Sequence, residues 1–296
     1  MAMYVLENEF LKVSVADAGA ELSSVMDKES GLERIHDANP EVWNRHAPIL
    51  FPFVGKVVNG KYRIGNQEYD MKTQHGFARD MEFECLEADN SRVVHRLLPT
   101  EDTRKVYPFE FELLVTHEFD SKNPRILNVK WEVKNNGTEK MYYFIGGHPG
   151  FTTVETDPKA KEEYYLEFVG CDSIEYFGVN SESGFAAPYD TKKVKLEDGF
   201  MKFDDDVYIT LIFDHPTFNK IRICRPDKTP YVTMECSQFT SYGIWAKGNG
   251  NFICLEPWQG RTDDHGFDGT VDEKIGVCTL EAGESGKIQH SIEFHK

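Results

Sequence analysis

The chain has 296 residues, 40% hydrophobic and 13% aromatic, a globular composition with material for a large core. A formal net charge of −17 with no basic stripe sets a repulsive field against phosphate backbones and argues against a nucleic-acid partner. No apolar run reaches the ~18 residues of a membrane span, and residues 1–10 lack a signal-peptide pattern, so a cytoplasmic protein with no membrane partner is expected.

In chain order, residues 27–36 suit a turn or two of helix. At 61–71, Gly65-Asn66 separates Tyr62-Arg63-Ile64 from Gln67-Glu68-Tyr69, the pattern of a β-hairpin. Residues 103–106 suit another short helix. Phe109, Phe111, Leu113 and Val115 then alternate with Glu110, Glu112 and Leu114 in a strand closing at Phe119. Leu127, Val129, Trp131 and Val133 alternate more cleanly with Asn128, Lys130, Glu132 and Lys134. Asn136-Gly137 offers a tight turn into 141–145, which reads as a second hairpin. Strands follow at 208–213, 221–224, 231–236 and 252–255, and a last hairpin around 283–286 joins 277–280 to 288–294.

No linker, low-complexity tract or repeat divides the sequence, so one domain over 1–296 is expected. So many strands in one unit predict an all-β fold, a large antiparallel β-sandwich with ligands bound in a groove. The six cysteines form no CxxC pair and no metal-finger spacing, and most sit in apolar runs as small buried hydrophobes.

Three segments set polar residues among glycine, proline or aromatic neighbours: Gln74-His75-Gly76-Phe77-Ala78-Arg79, Gly146-Gly147-His148-Pro149-Gly150-Phe151 and Leu255-Glu256-Pro257-Trp258. Two imidazoles and a carboxylate are a minimum set for proton transfer. His75 taken alone is more often a structural histidine bonded to a loop carbonyl, and its functional reading needs His148 nearby. His148, between two glycines and a proline, has its place set by the backbone. Glu256, at the end of an apolar strand and beside an indole, should be desolvated and hence more basic; the competing reading pairs it with Arg261. Trp258 and Trp245 are core residues by default, yet an indole beside a pocket carboxylate also stacks on sugar faces. The run Asp204-Asp205-Asp206 is ordinarily a solvated face, but it leads directly into a strand. No nucleotide-binding loop is present, and no HExxH-type spacing supports a metal, so neither metal nor cofactor is expected.

With residues 51–56, 107–109 and 131–137 between them, these segments resemble the aldose 1-epimerase (galactose mutarotase) family, nearest to its bacterial LacX-like branch. The resemblance spans 4–294 and implies a galactose mutarotase-type supersandwich acting on a sugar or sugar phosphate without a cofactor. It also implies Glu256 as the base that takes the anomeric hydroxyl proton, His148 as the acid that protonates the ring oxygen, and His75 as a donor orienting that oxygen. Gln74 and Arg79 match substrate contacts of related hexose-6-phosphate mutarotases, and Asp205 or Asp206 matches loosely a sugar-hydroxyl acceptor. Lys56 stands where many relatives carry arginine, which keeps the charge and loses the planar two-pronged grip. Arg45, Lys56 and Arg79 are the cations available to a phosphate, and Trp258 to a sugar face. A non-catalytic sugar-binding or regulatory protein on the same fold is the alternative. Glycoside hydrolysis, with Glu256 opposite Asp205 or Asp206, leaves both framed histidines unexplained. Nothing in the sequence indicates the oligomeric state.

Overall fold

The computed structural model describes residues 2–154, 157–203 and 210–296. Their sheets are antiparallel throughout. The largest has nine strands, in spatial order Phe200–Lys202, Tyr165–Phe168, Lys220–Cys224, Pro230–Glu235, Ser285–Phe294, Ile126–Asn135, Phe111–Phe119, Arg92–Leu97 and Glu84–Ala88. A second sheet runs Leu211–Asp214, Ser241–Trp245, Phe252–Gln259, Ile145–Gly147 and Ile49–Leu50, with Gly150–Thr152 also paired to Phe252–Gln259. Met3–Glu7, Leu11–Ala16 and Leu22–Asp27 form a separate meander.

Period-two patterning produces this architecture directly. Within Ile126–Asn135 the residues Leu127, Val129, Trp131 and Val133 are buried, while Asn128, Lys130 and Glu132 between them are not. The two large sheets meet through those inward rows: Phe168 packs on Phe213 at 5.6 Å and Phe151 on Phe294 at 6.3 Å between ring centroids. The result is the antiparallel all-β sandwich expected from the pattern. The hairpin Lys61–Ile64 with Gln67–Asp70 forms as read, as does a short helix, Glu101–Val106, capped by Thr100.

Four local expectations are corrected. Residues 27–36 form no helix: Asp27 ends a strand, and its Oδ1 accepts the Glu29 and Ser30 amides, each at 3.0 Å, closing a turn instead. Ile126–Asn135 does not fold back on Met141–Tyr143, which pairs with Cys278–Leu280. Nor does Cys278–Leu280 form a hairpin with Ser285–Phe294. Both connections instead cross between sheets around Asn135, whose fully buried amide donates to the carbonyls of Glu139 (2.7 Å) and Leu280 (3.0 Å) and accepts the Gly137 amide (3.0 Å). Finally, the strand begun at Phe252 does not stop at Leu255 but continues through Glu256, Pro257 and Trp258 to Gln259.

Candidate active site

That longer strand builds the site. On one side it pairs Gly146 with Trp258 and Gly150 with Cys254, and between these pairs the same register sets His148 opposite Glu256. On the other side Glu256 faces Gly243. The residues Cys254, Glu256 and Trp258 therefore project from one face, as alternation requires.

Glycine at the flanking positions makes this possible. A Cβ on Gly146 would lie 2.7 Å from the Trp258 ring, one on Gly243 would lie 2.4 Å from the same indole, and one on Gly150 would lie 3.0 Å from Trp43. The two rings, which cover His148 and Glu256, occupy that missing volume. The glycines around His148 thus serve close packing of indoles rather than an unusual backbone angle.

His148 Nε2 lies 3.2 Å from Glu256 Oε2, with 11% and 1% of the two side chains exposed. Neither Glu256 oxygen has a hydrogen-bond partner of good geometry among the described residues, and His148 Nδ1 has none either. Burial pushes the Glu256 carboxyl well above the usual range, with the nearby Trp258 indole pulling the other way. Burial, reinforced by the Arg79 charge, pushes His148 down to about 3. Both shifts favour the uncharged forms, so a proton held by the pair rests on the carboxyl rather than on the imidazole. Arg261, the alternative partner for Glu256, is engaged elsewhere, with Asp214 at 2.8 Å and Asp264 at 2.6 Å.

His75 arrives from a loop. Its φ is +68°, followed by Gly76 at +69°, where a Cβ would collide with the Phe51 carbonyl at 2.3 Å. The His75 amide donates to the Gly55 carbonyl at 2.7 Å, and the Gly55 amide returns a bond to Nδ1 at 3.0 Å. With Nδ1 an acceptor, the neutral ring carries its proton on Nε2. That proton faces the Gln74 side-chain amide at 2.9 Å, which then presents its oxygen. Burial, then the neighbouring His148 and Arg79, hold His75 well below the ordinary imidazole value. Its ring stands edge-on to His148 with centroids 5.6 Å apart.

These groups open into a cavity of about 460 Å³ lined by His75, His148, Glu256, Gln74, Arg79, Lys56 and Trp258, among others. Trp43 and Trp245 wall it too: Trp43 lies 4.9 Å from the His148 ring and 5.4 Å from the Trp245 ring, nearly perpendicular to the latter. Lys56 is exposed and makes no ion pair among the described residues. Arg79 is mostly buried, and its Nε lacks a hydrogen bond. Arg45, expected as a ligand contact, does not line the cavity. It sits behind Arg79, donating to the Arg79 carbonyl at 3.0 Å and pairing with Asp80. Asp205 and Asp206 lie outside the described residues, although Thr210, a few positions on, lines the cavity.

Trp43 and Lys247 were not singled out in the sequence. Both come from irregular segments without strand periodicity. The one available signal for Trp43 was an indole isolated in a polar stretch, Asn39-Pro40-Glu41-Val42-Trp43-Asn44-Arg45.

The antiparallel sandwich that holds this acid, two imidazoles and three indoles around one cavity is of the galactose mutarotase-like class of fold. The chain belongs to the aldose 1-epimerase family, whose pattern matches residues 2–264. It is similar to the chromosomal LacX protein of Lactococcus lactis subsp. lactis, 31% identical over 97% of both chains. A galactose mutarotase related enzyme from Lactobacillus acidophilus superposes with a TM-score of 0.91 at 30% identity, covering 100% of this chain and 98% of that one. A galactose mutarotase-like protein from Lactobacillus casei ATCC 334 gives 0.89 at 28%, covering 99% and 100%. The family resemblance read from the three motif segments therefore holds.

Proposed function

We propose that the protein is an aldose 1-epimerase that interconverts the α and β anomers of a hexose or hexose phosphate. The observation that carries this reading is the His148–Glu256 contact: a base and an acid sharing one proton, dry on one side and open to a sugar-sized cavity on the other.

The proton balance of ring opening fits the pair. Transfer across the 3.2 Å contact converts neutral carboxyl and imidazole into carboxylate and imidazolium. Glu256 then takes the proton from the anomeric hydroxyl while His148 gives its own to the ring oxygen. The C1–O5 bond breaks, C1 becomes the aldehyde, and Glu256 and His148 are again neutral. Rotation about C1–C2 and the reverse transfers close the ring as the other anomer, with no net proton exchanged. The Nε2 proton of His75, which Gln74 accepts in the free protein, stabilises charge developing on the ring oxygen once the sugar displaces that amide. Trp43, Trp245 and Trp258 offer faces to the C–H surfaces of the sugar.

Arg79, Lys56 and Lys247 supply three positive charges to the lining, against one described acid, Glu256, which is held neutral. This balance favours an anion-bearing sugar, such as a hexose phosphate, over a neutral one. It gives no support to glycoside hydrolysis, since Glu256 has no second carboxylate across the cavity among the described residues.

Replacing Glu256 by Gln or His148 by Asn should each lower kcat roughly 100-fold or more with modest change in KM, because both groups act mainly in the transition state. Steady-state kinetics of anomer interconversion test this. Variants with unaltered kcat would leave only the sugar-binding role.

A further inference from the structure

The strand face that carries Glu256 also carries Cys254, two residues earlier and opposite Gly150. The Cys254 sulfur, a His148 imidazole nitrogen and a Glu256 oxygen all lie within 4.8 Å of one another, and all three residues are buried. The reaction described above does not use the thiol, and the Cys254 sulfur makes no hydrogen bond among the described residues.

We infer that Cys254, His148 and Glu256 form a binding site for a thiophilic divalent cation of the zinc class, which occupies the catalytic pair and blocks it. Ligand atoms around tetrahedral zinc are about 3.3–3.7 Å apart, from bond lengths of ~2.3 Å to sulfur and ~2.0–2.1 Å to nitrogen or oxygen. Closing from 4.8 Å is thus a matter of side-chain adjustment of roughly an ångström. Four features of the cluster favour the ion.

The donor set is complete except for one position, and His148 and Glu256 line the cavity, from which water supplies the fourth ligand. Thiolate and imidazole select zinc-like ions over magnesium or calcium, which prefer all-oxygen shells. Nδ1 of His148 has no competing hydrogen-bond partner to give up, and the Glu256 oxygens have only their contacts with His148 and the Trp258 indole. Charge also balances: a thiolate and a carboxylate neutralise a divalent ion, so the buried site carries no net charge once filled. The ligands must give up any protons they carry to bind the ion, so binding is coupled to proton release. A bound ion takes the lone pairs that proton transfer needs, so metal and sugar exclude each other.

The test is titration of the protein with cadmium chloride alone, reading thiolate-to-cadmium charge-transfer absorption in the ultraviolet together with protons released. The expected result is one equivalent bound, with the band lost and affinity weakened by at least roughly 10-fold in Cys254→Ser. The band should survive in Cys85→Ser, Cys171→Ser and Cys278→Ser. No saturable band, or one unchanged in Cys254→Ser, overturns the site. Should Cys254→Ser fail to fold, X-ray absorption of the wild-type protein carrying one equivalent of zinc decides the matter. A sulfur neighbour at about 2.3 Å supports the site, and a shell of nitrogen and oxygen only overturns it. Neither readout involves a sugar, so its outcome is separate from that of the proposed activity.

Discussion

Glu256 and His148, the proposed proton-transfer pair, differ from free side chains in opposite directions. Burial raises Glu256 well above its ordinary value near 4.3 and lowers His148 from near 6.5 to about 3. The one-proton state extends from about 3, set by His148, up to the raised value of Glu256. The catalysed part of kcat is therefore expected to stay flat from about pH 5 to 7, once spontaneous mutarotation is subtracted. A fall through an apparent value near 6.5 would mean that His148 titrates as a solvated imidazole. These residues were legible in the sequence because glycine, proline and tryptophan mark them, but their contact was not. It depends on a strand register that brings together segments distant in the chain. Arg45 shows the limit of reading charge alone: it was available to a ligand by composition, yet Asp80 and a backbone carbonyl take its donors.

At the level of elements, strand existence followed from alternation, whereas strand partners did not. Asn136-Gly137 has hairpin chemistry, but Asn135 binds carbonyls on both crossing connections and sends the chain into the other sheet. The strand Phe252–Gln259 tolerates Pro257 because its neighbours leave a gap there, between Gly146 paired with Trp258 and Gly150 paired with Cys254. His148 enters through that gap. Gly243, on the other neighbour, keeps the Trp258 indole over Glu256. A Gly243→Ala substitution puts a methyl 2.4 Å from that ring and should cost about 1–3 kcal/mol while lowering kcat. Gly248→Ala, with nothing within 4 Å, is the control. Equal denaturant midpoints and rates for the two variants would show that the indole position is not set by the glycine.

Across the whole molecule, the sandwich buries histidines as well as apolar rows. Burial pushes His117 and His290 to about 3, like His148, and the Nδ1 atoms of both lack a partner among the described residues. Their folded values lie below the unfolded one, so between about 6.5 and 3 the unfolded chain binds more protons. Stability should fall as pH drops through that window. Glu256 acts in the opposite sense: the folded state holds its proton above the ordinary carboxylate value, a contribution lost as pH rises. Lowered histidines, His75 among them, outnumber the one raised carboxyl among the described residues and predict a net loss toward acid, seen as a urea midpoint decreasing steadily from pH 7.5 to 5. A midpoint that rises over this range would contradict the burial described here. The sandwich class itself was legible in the alternating rows, while the cavity was not, because its indole walls and cationic lining come partly from loops.

The most direct measurement is the rate at which freshly dissolved α-anomers of glucose, galactose and their 6-phosphates equilibrate, followed by NMR with and without protein. The account predicts acceleration of at least one of them, greater for a phosphate than for its free sugar, and abolished in Glu256→Gln. Equilibration at the spontaneous rate for all four, with sugar binding intact, would contradict it.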